Sequence, residues 1–213
     1  MKKIILTFAL FSACFASLFA QEFAGKRIIS GNLSMNLTGA SSSPLYGSSN
    51  LILNASFLTG KIRANNTYTA YGFNFGVNSK TIPQTSSGGV IKDYTNSNFT
   101  LGPTIQFGKF VKIFDQFYFA PNTSFNVLAT FGSSNIPSSS SSVGGFGIGL
   151  NISPLNFVYQ IKDNFLLSMN LGSLGANYNR VGTTSNNVET SVYSLIVYGN
   201  IANNSGIGAY YLF

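Results

Sequence analysis

Charge is the scarcest property of this chain. Asp, Glu, Lys and Arg together make up 8% of its 213 residues, where soluble domains carry about 25%. A water-facing surface so poor in charge would not keep a folded domain dispersed. Histidine is absent, which removes the commonest general base and the commonest metal ligand. The single cysteine, Cys14, lies in the apolar N-terminal stretch, so the rest of the chain has no thiol, disulfide or thiolate metal site. After Gln21 no stretch approaches the roughly 18 apolar residues that a membrane-spanning helix needs.

The few charges do not assemble a chemistry. Glu22, Asp93, Asp115, Asp163 and Glu189 are the only acids, and none falls in mid-strand on a polar face. Paired-carboxylate catalysis and an oxygen-ligand metal cage are therefore not expected. Asp115 near Lys112, and Asp163 beside Lys162, are turn charges. The sequence thus predicts no enzyme, no metal and no cofactor. The formal net charge of +7 does not indicate nucleic acid either. Lys2 and Lys3 belong to the N-terminal stretch, and the remaining cations are scattered singly or in pairs, as at Lys26-Arg27, Lys61 and Arg63, Lys109 and Lys112, and Lys162. A phosphate-tracking stripe would need them together.

Met1-Lys2-Lys3, the apolar stretch Ile4 to Phe19 and the small-residue junction Ala20-Gln21 have the architecture of a secretory signal peptide. The expectation is a leader over 1–20, cleaved between Ala20 and Gln21, and one domain over 21–213. A membrane helix is the alternative, but the run is short for it. Phe11-Ser12-Ala13-Cys14 could be a lipid-attachment box, yet the residues after Cys14 stay apolar as a leader still in progress would.

What the rest of the chain has is alternation. Phe99, Leu101, Pro103, Ile105 and Phe107 share one face of an extended segment, and Thr100, Gly102, Thr104 and Gln106 share the other. A period of two marks a strand with one apolar and one polar side. Phe117, Phe119, Pro121, Thr123, Phe125, Val127, Ala129 and Phe131 alternate in the same way with Tyr118, Ala120, Asn122, Ser124, Asn126, Leu128 and Thr130. Ile29, Leu33, Met35 and Leu37 oppose Ser30, Asn32, Ser34 and Asn36; Tyr71, Phe73, Phe75 and Val77 oppose Gly72, Asn74 and Gly76. Eight strands follow, near 28–38, 51–62, 67–78, 98–110, 117–131, 143–160, 165–179 and 190–213. The phase slips near Pro154-Leu155, near Gly172-Ser173 and across Asn203–Gly206, where bulges are expected; the last slip could instead be a turn opening a ninth strand. Pro103 and Pro121 lack a ladder donor and are expected at strand rims.

The connections alternate in length. Those at 63–66, 111–116 and 161–164 are short and hold much of the charge. Those at 39–50, 79–97, 132–142 and 180–189 are long and rich in Ser, Gly, Asn and Thr. Short turns at one end and long loops at the other is the outer-membrane pattern, with the short side periplasmic.

A soluble barrel would place Lys and Glu on its polar face. Here that face holds almost only Ser, Thr, Asn and Gly, so it is expected to line a lumen while the apolar face meets lipid. The predicted lining is Asn32, Asn36, Asn74, Thr100, Thr104, Gln106, Asn122, Ser124, Asn126, Asn151 and Asn170. Phe107, Phe110, Phe114, Phe117, Phe119, Tyr159, Phe165 and Tyr211 gather near the short-turn ends as an interfacial girdle. Counting back in twos from the terminal Phe213 gives Tyr211, Ala209 and Ile207, an apolar alternate face ending in an aromatic residue. It looks like the signal that barrel-assembly machinery reads.

The apolar-Pro-apolar runs Phe99–Phe107 and Leu150–Phe157, the closing Gly206–Phe213 and the Ala20-Gln21 junction resemble the small outer-membrane β-barrel domain proteins of the Bacteroidetes type. Together these readings predict an all-β, closed, antiparallel up-and-down transmembrane barrel of about eight strands, following a signal peptide, in the outer membrane of a Gram-negative bacterium. Its expected partners are outer-membrane lipid and the barrel-assembly machinery, with no nucleic acid. The expected role is structural, or a surface interaction through four Ser/Asn-rich loops. A narrow barrel handling small neutral or apolar molecules, and a soluble exported β-protein, are the alternatives.

Overall fold

The computed structural model describes residues 23–43, 46–85, 91–136, 139–185 and 188–213. The expected leader and its expected Ala20-Gln21 junction lie outside the described residues. Among the described residues there are eleven strand segments: β1 (Arg27–Ser43), β2 (Tyr46–Ile62), β3 (Thr67–Thr85), β4 (Ile91–Lys109), β5 (Val111–Phe114), β6 (Phe117–Phe119), β7 (Asn122–Ile136), β8 (Ser139–Ser153), β9 (Asn156–Lys162), β10 (Phe165–Ser185) and β11 (Val188–Leu212). The long ones pair antiparallel in the order β1-β2-β3-β4-β7-β8-β10-β11, and β11 pairs again with β1. The result is an up-and-down ring of eight strands. Its last seam is short: β1 and β11 pair over Ile28–Leu33 against Ile207–Leu212.

The three small segments are continuations of long strands past a break. β4 gives way to β5 at Phe110, β6 to β7 at Ala120-Pro121, and β8 to β9 at Pro154-Leu155. Proline removes a donor at two of these sites. The breaks are bonded to their neighbours: Lys109 N donates to Pro121 O (3.3 Å), Ala120 N to Asn156 O (2.8 Å) and Leu171 N to Leu155 O (2.9 Å). Leu171 lies at the register shift between Asn170 and Gly172 on β10, where Asn170 Oδ1 accepts from Gly172 N at 3.1 Å. Two of the three phase slips are therefore a strand break and a bulge. At the third, β11 runs on as one strand while its pairing with β10 jumps from Ile201 to Gly206, so no ninth long strand opens there. Pro103 departs from the rim expectation. It sits inside β4 opposite Phe73, and the ladder to β7 skips Gly102 and Pro103.

The long connections are not loops over most of their length. The hairpin ladders continue to Ser43↔Tyr46, Thr85↔Ile91, Ile136↔Ser139 and Ser185↔Val188. Hydroxyl pairs across the ladder take the place of apolar contacts: Ser79 Oγ and Ser97 Oγ are 3.3 Å apart, Thr81 Oγ1 and Thr95 Oγ1 3.2 Å. The strands thus extend as polar ribbons beyond the apolar band.

The band itself faces out. Phe99, Phe107 and Phe125 are 48%, 48% and 43% exposed, and Tyr71, Phe73, Leu101, Phe131, Leu150 and Leu167 share that side. Thr104, Ser153, Asn156 and Ser168 are buried. The ring therefore wears its apolar side chains outside and its small polar ones inside, the reverse of a water-soluble β-sandwich.

Candidate functional site

The inward face changes character along its length. At the short-turn end Ile28, Ile62, Tyr68, Phe110, Tyr118, Val158, Leu166 and Leu212 are at most 1% exposed. Their strands meet water or headgroups there, so the only apolar volume within reach is the barrel axis, and they fill it. The segment ahead of β1 closes the packing. Phe23 is fully buried, its ring 5.4 Å from Phe110 edge-on and 4.9 Å from Tyr118. Phe110 also meets Tyr68 at 5.2 Å and Tyr210 at 5.5 Å. Gly25, at φ 85°, makes the turn that carries Phe23 inward, and its N–H donates to Ile62 O at 3.0 Å.

Of the polar groups inside this floor, those of Tyr118 and Asn156 are tied down, while Tyr68 Oη is buried with no hydrogen-bond partner in the protein. Tyr118 Oη donates to Gln160 Oε1 (2.9 Å), and Asn156 Nδ2 donates to Ala120 O (3.0 Å) and Tyr210 Oη (3.3 Å). The floor corrects the expectation of a lumen polar throughout. It also moves Phe110 from the outer girdle to the interior, because its side chain falls on the inward side where β4 breaks. Phe114, Tyr159 and Tyr211 do face outward and are exposed; Phe117, Phe119 and Phe165 are half-buried.

Above the floor lies a cavity of about 520 Å³. Asn32 and Asn36 reach it from β1, Asn74 from β3, and Thr100, Thr104 and Gln106 from β4. Asn122, Ser124 and Asn126 come from β7, Asn151 from β8 and Asn170 from β10. All eleven predicted lining residues therefore meet on one well, with Tyr198 of β11 beside them. The amides lie along the wall instead of crossing it. Asn126 and Asn177 pair with Gly149 from either side, and a Cβ on Gly149 would run into both amide oxygens. Asn54 and Thr100 flank Gly76 in the same fashion. Glycine inward on one strand thus makes room for an amide from the next, and the axis stays open. Thr104 Oγ1 donates to Phe125 O (3.1 Å) and Asn170 Nδ2 to Ser153 Oγ (3.1 Å). Asn126 Oδ1 and Asn151 Oδ1 are buried with no hydrogen-bond partner in the protein.

The C-terminal residues form the short seam with β1. Ile207, Tyr211 and Phe213 are exposed on the outward side of β11 with Ala209 between them. Arg27 N donates to Phe213 O (2.7 Å) and Phe213 N to Arg27 O (3.1 Å). Among the described residues no three His, Cys, Asp or Glu side chains come together. The well can solvate neutral polar groups, and among the described residues that line it there is no aligned nucleophile and base and no ring of charges.

No family model matches the chain, and no curated relative does. Solved structures similar to it include Neisserial surface protein A at 14% identity and a TM-score of 0.40, covering 89% of this chain and 98% of that one. The outer membrane protein OprG from Pseudomonas aeruginosa is similar at 13% identity and 0.44, covering 91% and 98%. A major outer membrane protein from Thermus thermophilus is similar at 13% and 0.39, covering 88% and 99%. These likenesses are too distant to transfer a role to any residue.

Proposed function

We propose that this chain is a small, non-enzymatic outer-membrane β-barrel of the Bacteroidetes type. Its lumen is stoppered at the periplasmic end, and its work is structural or a contact made through the Ser/Asn-rich ribbons on the outside of the cell. The observation that carries the reading is the inversion of faces: an exposed apolar band on every long strand around an uncharged polar interior, which only a lipid surrounding stabilises. The aromatic floor argues against conduction. A pore of eight strands is narrow to begin with, and here Phe23, Phe110, Tyr68 and Tyr118 fill it at one end. The reading includes export by a leader cleaved between Ala20 and Gln21, and handling by barrel-assembly machinery through Ile207, Ala209, Tyr211 and Phe213.

The test is a combined one. Cell fractionation is expected to put the protein in the outer membrane, with a mature chain starting at Gln21. Detergent-refolded protein is expected to migrate as a compact species that shifts on boiling. Planar-bilayer recordings should show no steady conductance, and Phe23→Ala or Phe110→Ala should introduce brief openings. Recovery in the soluble periplasm would overturn the membrane reading, and steady conductance of the unaltered protein would replace the structural role with transport.

A further inference from the structure

The cations of this chain are not spread evenly between the two ends of the barrel. Lys26, Arg27, Lys61, Arg63, Lys109, Lys112 and Lys162 all lie at the short-turn end, against Asp115 and Asp163 among the described residues. At the other end stand Lys80, Lys92 and Arg180, against Asp93 and Glu189. The first group is also aimed. Arg27 continues the outward side of β1 two residues below Ile29, Lys61 that of β2 below Thr59 and Phe57, and Lys109 that of β4 below Phe107. Register places Arg27 beside Lys61 and Thr67 beside Lys109, so these cations line the lower rim of the apolar band along the arc from β1 to β4. Arg27, Lys61, Arg63 and Lys162 are exposed. Arg63 Nη2 donates to Thr69 Oγ1 (3.2 Å), and Lys26 Nζ lies 5.7 Å above the Phe23 ring while donating to Asp163 O (3.3 Å).

We infer that this rim binds the phosphate headgroups of anionic phospholipids in the leaflet at the short-turn end. The inference rests on the membrane reading above. Direction selects lipid over a soluble polyanion: the side chains leave the wall sideways, at the level where headgroups stand, directly beneath the residues that would contact acyl chains. Long cationic side chains suit that position, since their methylene stems stay with apolar surface while the charge reaches the phosphate. Each cation near an anionic membrane surface contributes about 1 kcal/mol, so removing one should weaken anionic-lipid association about fivefold. Among the described side chains at the opposite rim, only Arg180 continues the outward face, and its guanidinium stacks on Tyr193 at 5.5 Å.

The experiment compares two triple variants that remove equal charge from the two ends, R27Q/K61Q/K109Q and K80Q/K92Q/R180Q. Each is refolded into phosphatidylcholine bilayers, and spin-labelled phosphatidylglycerol and phosphatidylcholine report which lipid the barrel holds at its boundary. The unaltered protein should prefer phosphatidylglycerol several-fold, with the preference falling in high salt. The short-turn triple variant should lose the preference while the long-ribbon variant keeps it. Equal loss in both, or in neither, would overturn the inference and leave only a net-charge effect or none. Failure of every variant and of the unaltered protein to enter phosphatidylcholine at all would instead overturn the membrane reading on which it rests.

Discussion

The two halves of the interior are built on opposite principles. In the floor, large rings from the short-turn ends interlock around Phe110 and leave almost no exposed atom. In the well, small amides lie flat against inward glycines and leave about 520 Å³ open. The floor is the one region where this molecule folds as water-soluble proteins do. Side chains on the outer wall exchange one apolar surrounding for another when the strands assemble in lipid; those in the floor leave water and gain close packing as well. The floor is thus the part of the barrel with a core in the usual sense, and the well is a wall.

The contrast is broken most directly at Phe110. Truncation to Ala removes a ring that touches three others and leaves a hole the floor cannot refill, a change that costs about 3–5 kcal/mol. Phe107→Ala, three residues away but 48% exposed on the outer side, leaves a gap that an acyl chain or detergent fills, at well under half that cost. Urea titrations of the two variants, followed by the boiling-sensitive gel shift, measure the difference. Equal midpoint shifts would mean that the floor is no more a core than the band is.

The outer band is legible in the sequence because alternation of Phe and Leu with Ser and Asn has one simple solution in lipid, and Phe99, Phe107 and Phe125 all face as that solution requires. The breaks near Pro154 and Gly172 are legible because a flipped parity cannot be hidden. The floor is not. Tyr68, Phe110 and Tyr118 have the composition of a girdle, and only their parity with Asn74, Thr104 and Asn122 points them inward. Ile28, Leu166 and Leu212 carry the same signal, visible only once the strand ends are fixed. The polar ribbons resemble loops for a related reason: Ser79 against Ser97 and Thr81 against Thr95 pair well but show no apolar period.

A smaller effect should separate two kinds of inward glycine. At Gly72 a Cβ would strike the backbone of β2, at Phe57 O, with Leu58 Cα 2.9 Å away. The strands there cannot part without breaking the ladder from Leu58 to Gly72, so Gly72→Ala is expected to cost about 1–3 kcal/mol. At Gly149 the obstacles are the ends of the Asn126 and Asn177 side chains, which can rotate into the well. Gly149→Ala should therefore stay below about 1 kcal/mol. Matched urea midpoints for the two would show that the space beside Gly149 is as tightly held as that beside Gly72.

The smallest effect belongs to the amides themselves. Asn126 Oδ1 is buried without a partner in the protein, so it does not hold the wall together through that oxygen. Removing it takes away a group that is costly to desolvate, while the loss of its contact with Gly149 acts in the opposite direction. Net intramolecular hydrogen bonds are worth only about 0.5–1.5 kcal/mol each, and the two contributions in Asn126→Ala should nearly cancel, leaving a change within about 0.5 kcal/mol of zero. Asn156→Ala provides the reference, since its Nδ2 donates to Ala120 O and Tyr210 Oη at the edge of the floor and its loss leaves the Ala120 carbonyl with only the longer bond from Asn122 Nδ2 (3.4 Å). A destabilisation of Asn126→Ala as large as that of Asn156→Ala would show the well to be a satisfied network as closely coupled as the floor, and the division of the interior into core and wall would fail.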